Sequence, residues 1–447
     1  MIAAVRFALV SLSWMLLFAL QAAGQAAPAA KTTLLNCGRV LDVISGRLVT
    51  EQHIIVSGNR IVALGPVTNT PAPPGAEVVD LRDATCLPGL FDVHTHLADR
   101  PGTGAYYDWD WPLKTSAARM AFGSIQNARA TLLAGFTSVR DLGTYRAFVD
   151  VALRDAIEEG IIIGPRMQVA GAYVTMTGGA GALTGYAPDL VLPLELRIGQ
   201  ADGPDQVRQR VREIIRQGAS VIKVLATGAI LTIGSKPGAQ EFTMGEMRAA
   251  VEEAAKAGLK VAAHAHSAAG AKDAVRAGVA SIEHGTLLDD EALLLMKERG
   301  TVLALDLLAA WMFWPGGAPE SKPAGYPQEF IEKEKISYAS QAKVARRARE
   351  VGVKIAFATD AGVIPHGKNA RLFASYVESG MSAIEAIRAA TVNAAELLGW
   401  SDKLGTLETG KLADIIAVRG NPLEDTRALE RVQFVMKDGV VYKHELR

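Results

Sequence analysis

The rhythm of polar and apolar positions changes twice along the chain. From Lys31 to about Ala84, short apolar runs alternate with turns, as in "TLLNCGRVLD", "QHIIVSGNRIVALG" and "AEVVDLRDAT". The Ser-Gly-Asn turn at 57–59 stands between two such runs and predicts a hairpin. The same texture returns at the far end, in "LADIIAVRG" and "VQFVMKDGVVYKHELR". Neither end alone makes a sheet with a buried face, so the two are predicted to meet as one small β domain.

Between them the repeat is strand, glycine-containing turn, helix. The β-rich runs are "LFDVHTH", "GFTSVRDLG", "GPRMQVAG", "ASVIKVLATG", "LKVAAHAHS", "ASIEHGT", "GTVLALDLL" and "VKIAFATDA". Helical patterns such as "TMGEMRAAVEEAAKAG" and "SAAGAKDAVRAG" lie between several of them. Repeated βα units predict parallel strands, and eight of them favour a closed barrel over an open sheet. No G-x-G-x-x-G follows an early strand, which removes the main support for a dinucleotide-binding fold. The predicted class is α/β, a (β/α)8 TIM barrel with a small β-sandwich domain formed from both chain ends. Its expected parts are 31–84 and 401–447 in the sandwich and 85–400 in the barrel.

The first residues follow a different logic. Arg6 precedes the apolar run "FALVSLSWMLLFAL", and the small-residue segment "QAAGQAAPAA" follows it. At about fourteen residues the run falls short of the roughly 20 that span a bilayer. It therefore predicts a signal peptide over 1–26, cleaved after Ala26, with no membrane insertion of the mature chain and a periplasmic or secreted location. Cys37 and Cys86 are the two cysteines of the 447 residues. A disulfide between them suits an oxidising compartment but is not required by a chain able to bury its own core. With 47 basic and 47 acidic side chains, nothing points to nucleic acid or an anionic surface as partner.

The chemistry concentrates where a barrel keeps its active site, at the C-terminal strand ends. His94 and His96 end the first strand, Lys223 lies in the fourth, His264 and His266 end the fifth, His284 the sixth, and Asp360 the eighth. A lone histidine in an apolar run is ordinarily a satisfied core residue. Here six of eight histidines, counting His366, fall at or after strand ends, which predicts a metal site. Alternate strand residues share a side, so His94 and His96 can face one ion while Thr95 faces away. Imidazole and carboxylate suit zinc, with other divalent first-row ions as alternatives. Lys223 has two readings: an ion pair to Asp360 or another carboxylate, or a neutral amine carboxylated by carbon dioxide to an anionic bridging ligand.

"LPGLFDVHTH", the strand-four lysine, "HAHS" followed by "SIEHGT", and "FATDAG" together resemble the amidohydrolase superfamily. The likeness covers nearly all of the mature chain. It is strongest to the binuclear metal-dependent carboxypeptidases and Xaa-Pro dipeptidases, the neighbourhood of ochratoxin-hydrolysing and imidazolonepropionase-like members. The resemblance implies two divalent ions, expected to be Zn2+. His94, His96 and Asp360 would hold the more buried ion, His264 and His284 the more exposed one, and Lys223, as N6-carboxylysine, would bridge them. Asp360 would also be the catalytic acid and base.

His266 and His366 are candidate substrate contacts, as is Tyr326, one of the aromatic residues of the loop after strand seven with Trp311, Phe313 and Trp314. Tyr106, Tyr107, Trp109 and Trp111 form a second aromatic cluster. Arg140 would receive a substrate carboxylate if it faces the pocket, and otherwise pairs with a nearby carboxylate or carbonyl. Relatives carry "TGGHG" where this chain has "TGGAG", so Ala180 stands in place of an expected histidine. The expected reaction is hydrolysis of a small-molecule amide or short peptide, in a homo-oligomer of unspecified number. Cyclic amidase, lactonase or deaminase chemistry would use nearly the same metal residues. A metal-binding protein without catalysis would have no use for the general base.

Overall fold

The computed structural model describes residues 31–98, 110–307 and 327–446. The expected signal peptide and the aromatic candidates Tyr106, Tyr107, Trp109, Trp311, Phe313, Trp314 and Tyr326 lie outside the described residues. Among those described, no helix is long and apolar enough to cross a membrane.

Four strands open the described chain: β1 (Thr32–Asp42), β2 (Arg47–Ser57), β3 (Arg60–Pro66) and β4 (Glu77–Pro88). The barrel strands follow as β5 (Leu90–Thr95), β6 (Phe136–Asp141), β7 (Arg166–Val169), β8 (Tyr173–Val174), β9 (Ile222–Leu225), β10 (Val261–Ser267), β11 (Ser281–Leu287), β12 (Val302–Leu305) and β13 (Ile355–Phe357). The chain then returns through β14 (Ile415–Arg419), β15 (Val432–Lys437) and β16 (Val440–His444).

Both ends meet in one seven-stranded sheet of order β16-β15-β14-β4-β1-β2-β3, the β-sandwich domain. Side-chain alternation divides its strands between two cores. In β14, Ile415 and Ala417 pack with Leu35, Ile54 and Phe434, whereas Ile416 and Val418 join the barrel core. Gly38 marks a bulge in the β1–β4 pairing, where a Cβ would sit 1.9 Å from the Arg82 carbonyl oxygen. Beside it Cys37 is joined to Cys86, both fully buried.

The barrel is distorted. β5 to β7 form one parallel arc and β8 to β13 another. The predicted third strand ends at Gly171, whose φ of +74° is left-handed and whose missing Cβ leaves room for the Phe148 ring. The short β8 lies just beyond the predicted run and pairs with β9. Backbone bonds close both seams: Ser220 N–H to the Val169 carbonyl at 2.8 Å, and Asp360 N–H to the His94 carbonyl at 2.8 Å. The predicted helices form with sequence-encoded starts. Thr243 and Glu246 make a reciprocal cap on Met244–Lys256, and Ser267 caps Ala268–Ala277 directly after β10.

The crosslink closes a loop of 49 residues. Replacing both cysteines by alanine is expected to lower the stability of the β domain by about 2–4 kcal/mol, read as a lower urea midpoint under oxidising conditions. An unchanged midpoint contradicts it.

Candidate metal centre

β5 delivers two imidazoles to one place. His94 Nε2 and His96 Nε2 lie 3.5 and 3.1 Å from Asp360 Oδ1, while Thr95 between them turns to Asp141. Asp360 follows β13 and is fixed by the seam bond to His94. Two trios emerge: His94, His96 and Asp360, and His284, Asp306 and Asp360, each with ligand atoms within 4.8 Å of one another. The shared Asp360 makes this a binuclear divalent-metal site. His264 and His266 complete the ring of imidazoles, with the His264 centroid 4.6 Å from that of His284. Lys223, on β9, places Nζ 3.3 Å from His94 Nε2.

The donor set fits metal ions because four of the five imidazoles have one nitrogen hydrogen-bonded from behind, and the fifth, His94, has Nδ1 turned to a buried carboxylate. His94 Nδ1 lies 3.0 Å from Glu283, His96 Nδ1 2.7 Å from the Gly143 carbonyl, and His284 Nδ1 2.7 Å from Asp306. His266 Nδ1 lies 2.7 Å from the Thr286 hydroxyl, and His264 Nε2 3.2 Å from the Gly228 carbonyl. Such partners fix the tautomer and leave the other nitrogen to face the cavity, for an ion in the case of His96 and His284. Burial holds His94, His264 and His266 well below the ordinary imidazole range, with neighbouring cationic groups adding to it. They are neutral donors. Burial opposes charge on His284 too, but Asp306 outweighs it and raises that imidazole. Burial likewise works against ionised Asp360, yet His94, His96 and His284 hold it far below the carboxylate range. Lys223 is pulled down to about 8, mainly by burial, against the opposing charges of Glu283 and Asp360.

Two ligand positions carry left-handed backbone, His284 at φ +68° and Asp360 at φ +53°. For non-glycine residues this stores strain, here in residues whose aim the site depends on.

Arg140 does not line the cavity. It is completely buried beneath the site, donating to Glu283 at 2.8 Å, the Ser281 hydroxyl at 3.0 Å and the Val93 carbonyl at 2.7 Å. With its donor fork engaged inside the barrel, it is a structural ion pair and no receptor for a substrate carboxylate. His366 also lies outside the cavity lining, near His96, and burial lowers it to about 3. His266 and Ala180 do line the cavity, which has a volume of about 130 Å³. Asp306 and Glu283 were not singled out from the sequence, although "ALDLL" and "SIEHGT" placed both near strand ends.

Replacing Glu283 by leucine strands the buried Arg140 charge and is expected to cost about 3–5 kcal/mol, with loss of metal; glutamine costs less. His284→Ala should leave about one of two ions bound, measured by elemental analysis. Full metal content in both variants refutes the assignment.

Comparison with known proteins agrees with this geometry. The model of the amidohydrolase family matches residues 85–443. Ochratoxinase of Aspergillus niger is 33% identical over 440 residues, covering 93% of this chain and 87% of that protein. A Xaa-Pro dipeptidase structure with methionine bound in its active site superimposes with a TM-score of 0.85 at 38% identity, covering 92% of this chain and all of the other. A prolidase complexed with N-methylphosphonate-L-proline gives 0.82 at 31%, covering 93% and 100%. The chain belongs to the amidohydrolase family, in its metal-dependent carboxypeptidase and dipeptidase group.

Proposed function

We propose that the protein hydrolyses the amide bond of peptidyl or N-acyl amino acids, with zinc in both metal positions and Lys223 carboxylated between them. The observation that carries this is the pair of ligand trios sharing one aspartate at the rim of a cavity. The signal-like N-terminus supports a periplasmic or secreted location. The similarity to ochratoxinase brings ochratoxin A within the substrate range to be tested.

When bound, the ions acidify a water molecule and polarise the scissile carbonyl. The chain supplies the remaining parts. Asp360, held ionised among the histidines, accepts the proton of the attacking water and passes it to the leaving nitrogen. His266, anchored through Nδ1 to Thr286, offers Nε2 to the substrate carbonyl. Lys223 lies beside the buried trio with its amine biased toward the neutral form that takes up carbon dioxide. Ala180 leaves the wall roomier than a histidine would.

Zinc-loaded protein is expected to release the C-terminal amino acid from at least one class among Xaa-Pro and other dipeptides, N-acyl amino acids and ochratoxin A, followed by mass spectrometry. Silence across the panel with metal bound would turn attention to cyclic amides, lactones and deamination. Asp360→Asn should lower turnover by about 100- to 10,000-fold with partial metal retention, and near-normal turnover removes Asp360 from its role. A carbamate carbon signal from ¹³C-bicarbonate should appear in the wild type and vanish in Lys223→Arg; its absence from the wild type removes the carboxylated lysine.

A further inference from the structure

The helix Gln328–Val351 covers one side of the cavity. Its buried face runs through Phe330, Ile331, Glu334, Ser337 and Gln341. The first two join Ile230 in an apolar cluster that attaches the helix to the loop after β9. Lys333 and Glu329 reinforce the attachment, with Lys333 donating to the Thr232 carbonyl at 2.8 Å and Glu329 accepting from Gly234 N–H at 2.9 Å. In the next turn of this apolar stripe stands Glu334, only 4% exposed, and it lines the cavity that holds the metal ligands.

A carboxyl in such a place costs stability unless something pairs with it. Among the described residues no cation does. The Ser337 hydroxyl approaches along the same helix without completing a hydrogen bond. Asp306, 2.7 Å from His284 Nδ1, is near enough for its charge to add to the effect of burial, and together they raise Glu334 well above the carboxylate range. This wall of the site therefore holds two acids, and Lys223 is the one lysine or arginine among the described residues lining the cavity.

We propose that Glu334 receives the α-ammonium group of the substrate's N-terminal residue, so that dipeptides with a free amine are preferred to N-acylated amino acids. This deepens the amide-hydrolase reading and rests on it. The amine nitrogen of a dipeptide is two bonds from the scissile carbon, at about 1.5 Å per bond. It must enter the same cavity, beside divalent cations, and an ammonium there needs an anion on the side away from them. Arrival of the ammonium favours the ionised form of Glu334, which releases its proton to provide that anion, and Gln341, two turns further along the helix, lines the same cavity with a neutral amide. An acylated nitrogen brings no charge, and Glu334 would then remain a buried acid without a counterion.

The test compares Ala-Phe with acetyl-Ala-Phe on zinc-loaded wild-type protein and on Glu334→Gln, a near-isosteric change. In the wild type, kcat/KM should favour the free amine on the order of 10- to 100-fold, the range of a charge-assisted hydrogen bond. In Glu334→Gln the ratio should fall toward about one. A loss of packing alone would slow both peptides alike and leave the ratio where it was. Equal or better cleavage of the acetylated peptide by the wild type overturns the assignment without need of any variant, as does an unchanged ratio in Glu334→Gln. If neither peptide is turned over, the wider panel decides the amide-hydrolase reading. Calorimetric binding of the two peptides to the same metal-loaded proteins then gives the ratio that decides for or against Glu334.

Discussion

Five imidazoles packed against one another are the constraint around which this molecule is organised. Centroid separations run from 4.6 Å for His264 and His266 to 5.3 Å for His94 and His96. Protonated, such a cluster would repel itself; neutral, it directs several lone pairs into one small volume. Both problems are relieved when cations occupy that volume, and Asp360 supplies the negative charge that a second cation requires. The arrangement therefore dictates what lies behind each ring. Gly143, Gly228, Thr286 and Asp306 each take one nitrogen and Glu283 faces another; Glu283 and Thr286 both come from β11, the others from the ends of β6, β9 and β12.

The partners need support of their own, which explains the charge buried below the site. Glu283 is held by Arg140 and Ser281, so the orientation of His94 depends on an ion pair spanning β6 and β11. Asp92, two residues before His94, accepts from Thr359 N–H and from Asn369, tying β5 to the end of β13 where Asp360 is presented. Burial pushes the Asp92 carboxyl up to about 7, against its hydrogen bonds to Thr359 and Asn369. An apolar filling would cost less. What these groups add is aim, at a position where the backbone of Asp360 is itself strained.

Much of this was legible in the sequence because it is local. The βα rhythm, the Gly58–Asn59 hairpin turn, the helix caps and the alternation of His94 and His96 about Thr95 each follow from neighbours within a few residues. The meeting of the two chain ends was readable because each was an incomplete sheet. Arg140 was not, since whether its donor fork faces a ligand or Glu283 depends on residues 143 positions apart. Glu283 and Asp306 were overlooked for the same reason, each being an acid whose partner is a distant histidine. The two-residue β8 is too short to leave a period-2 pattern, and the glycine before it looks in sequence like any other turn signal.

The metal ligands and the proposed substrate contact rest on separate parts of the fold. The ligands are carried by barrel strands and their immediate ends, fixed by hydrogen bonds inside the barrel. The far wall is built from the loop after β9 and one long helix, joined through Ile230, Phe330 and Ile331. That contact is apolar and tolerant of exchange, whereas the ligand partners tolerate little. A change at Glu334, Gln341 or Ala180 alters what can lie against the metal centre without moving a ligand. On the proposed reading one metal site serves related amide substrates, with the choice among them made by a helix that carries none of the ligands.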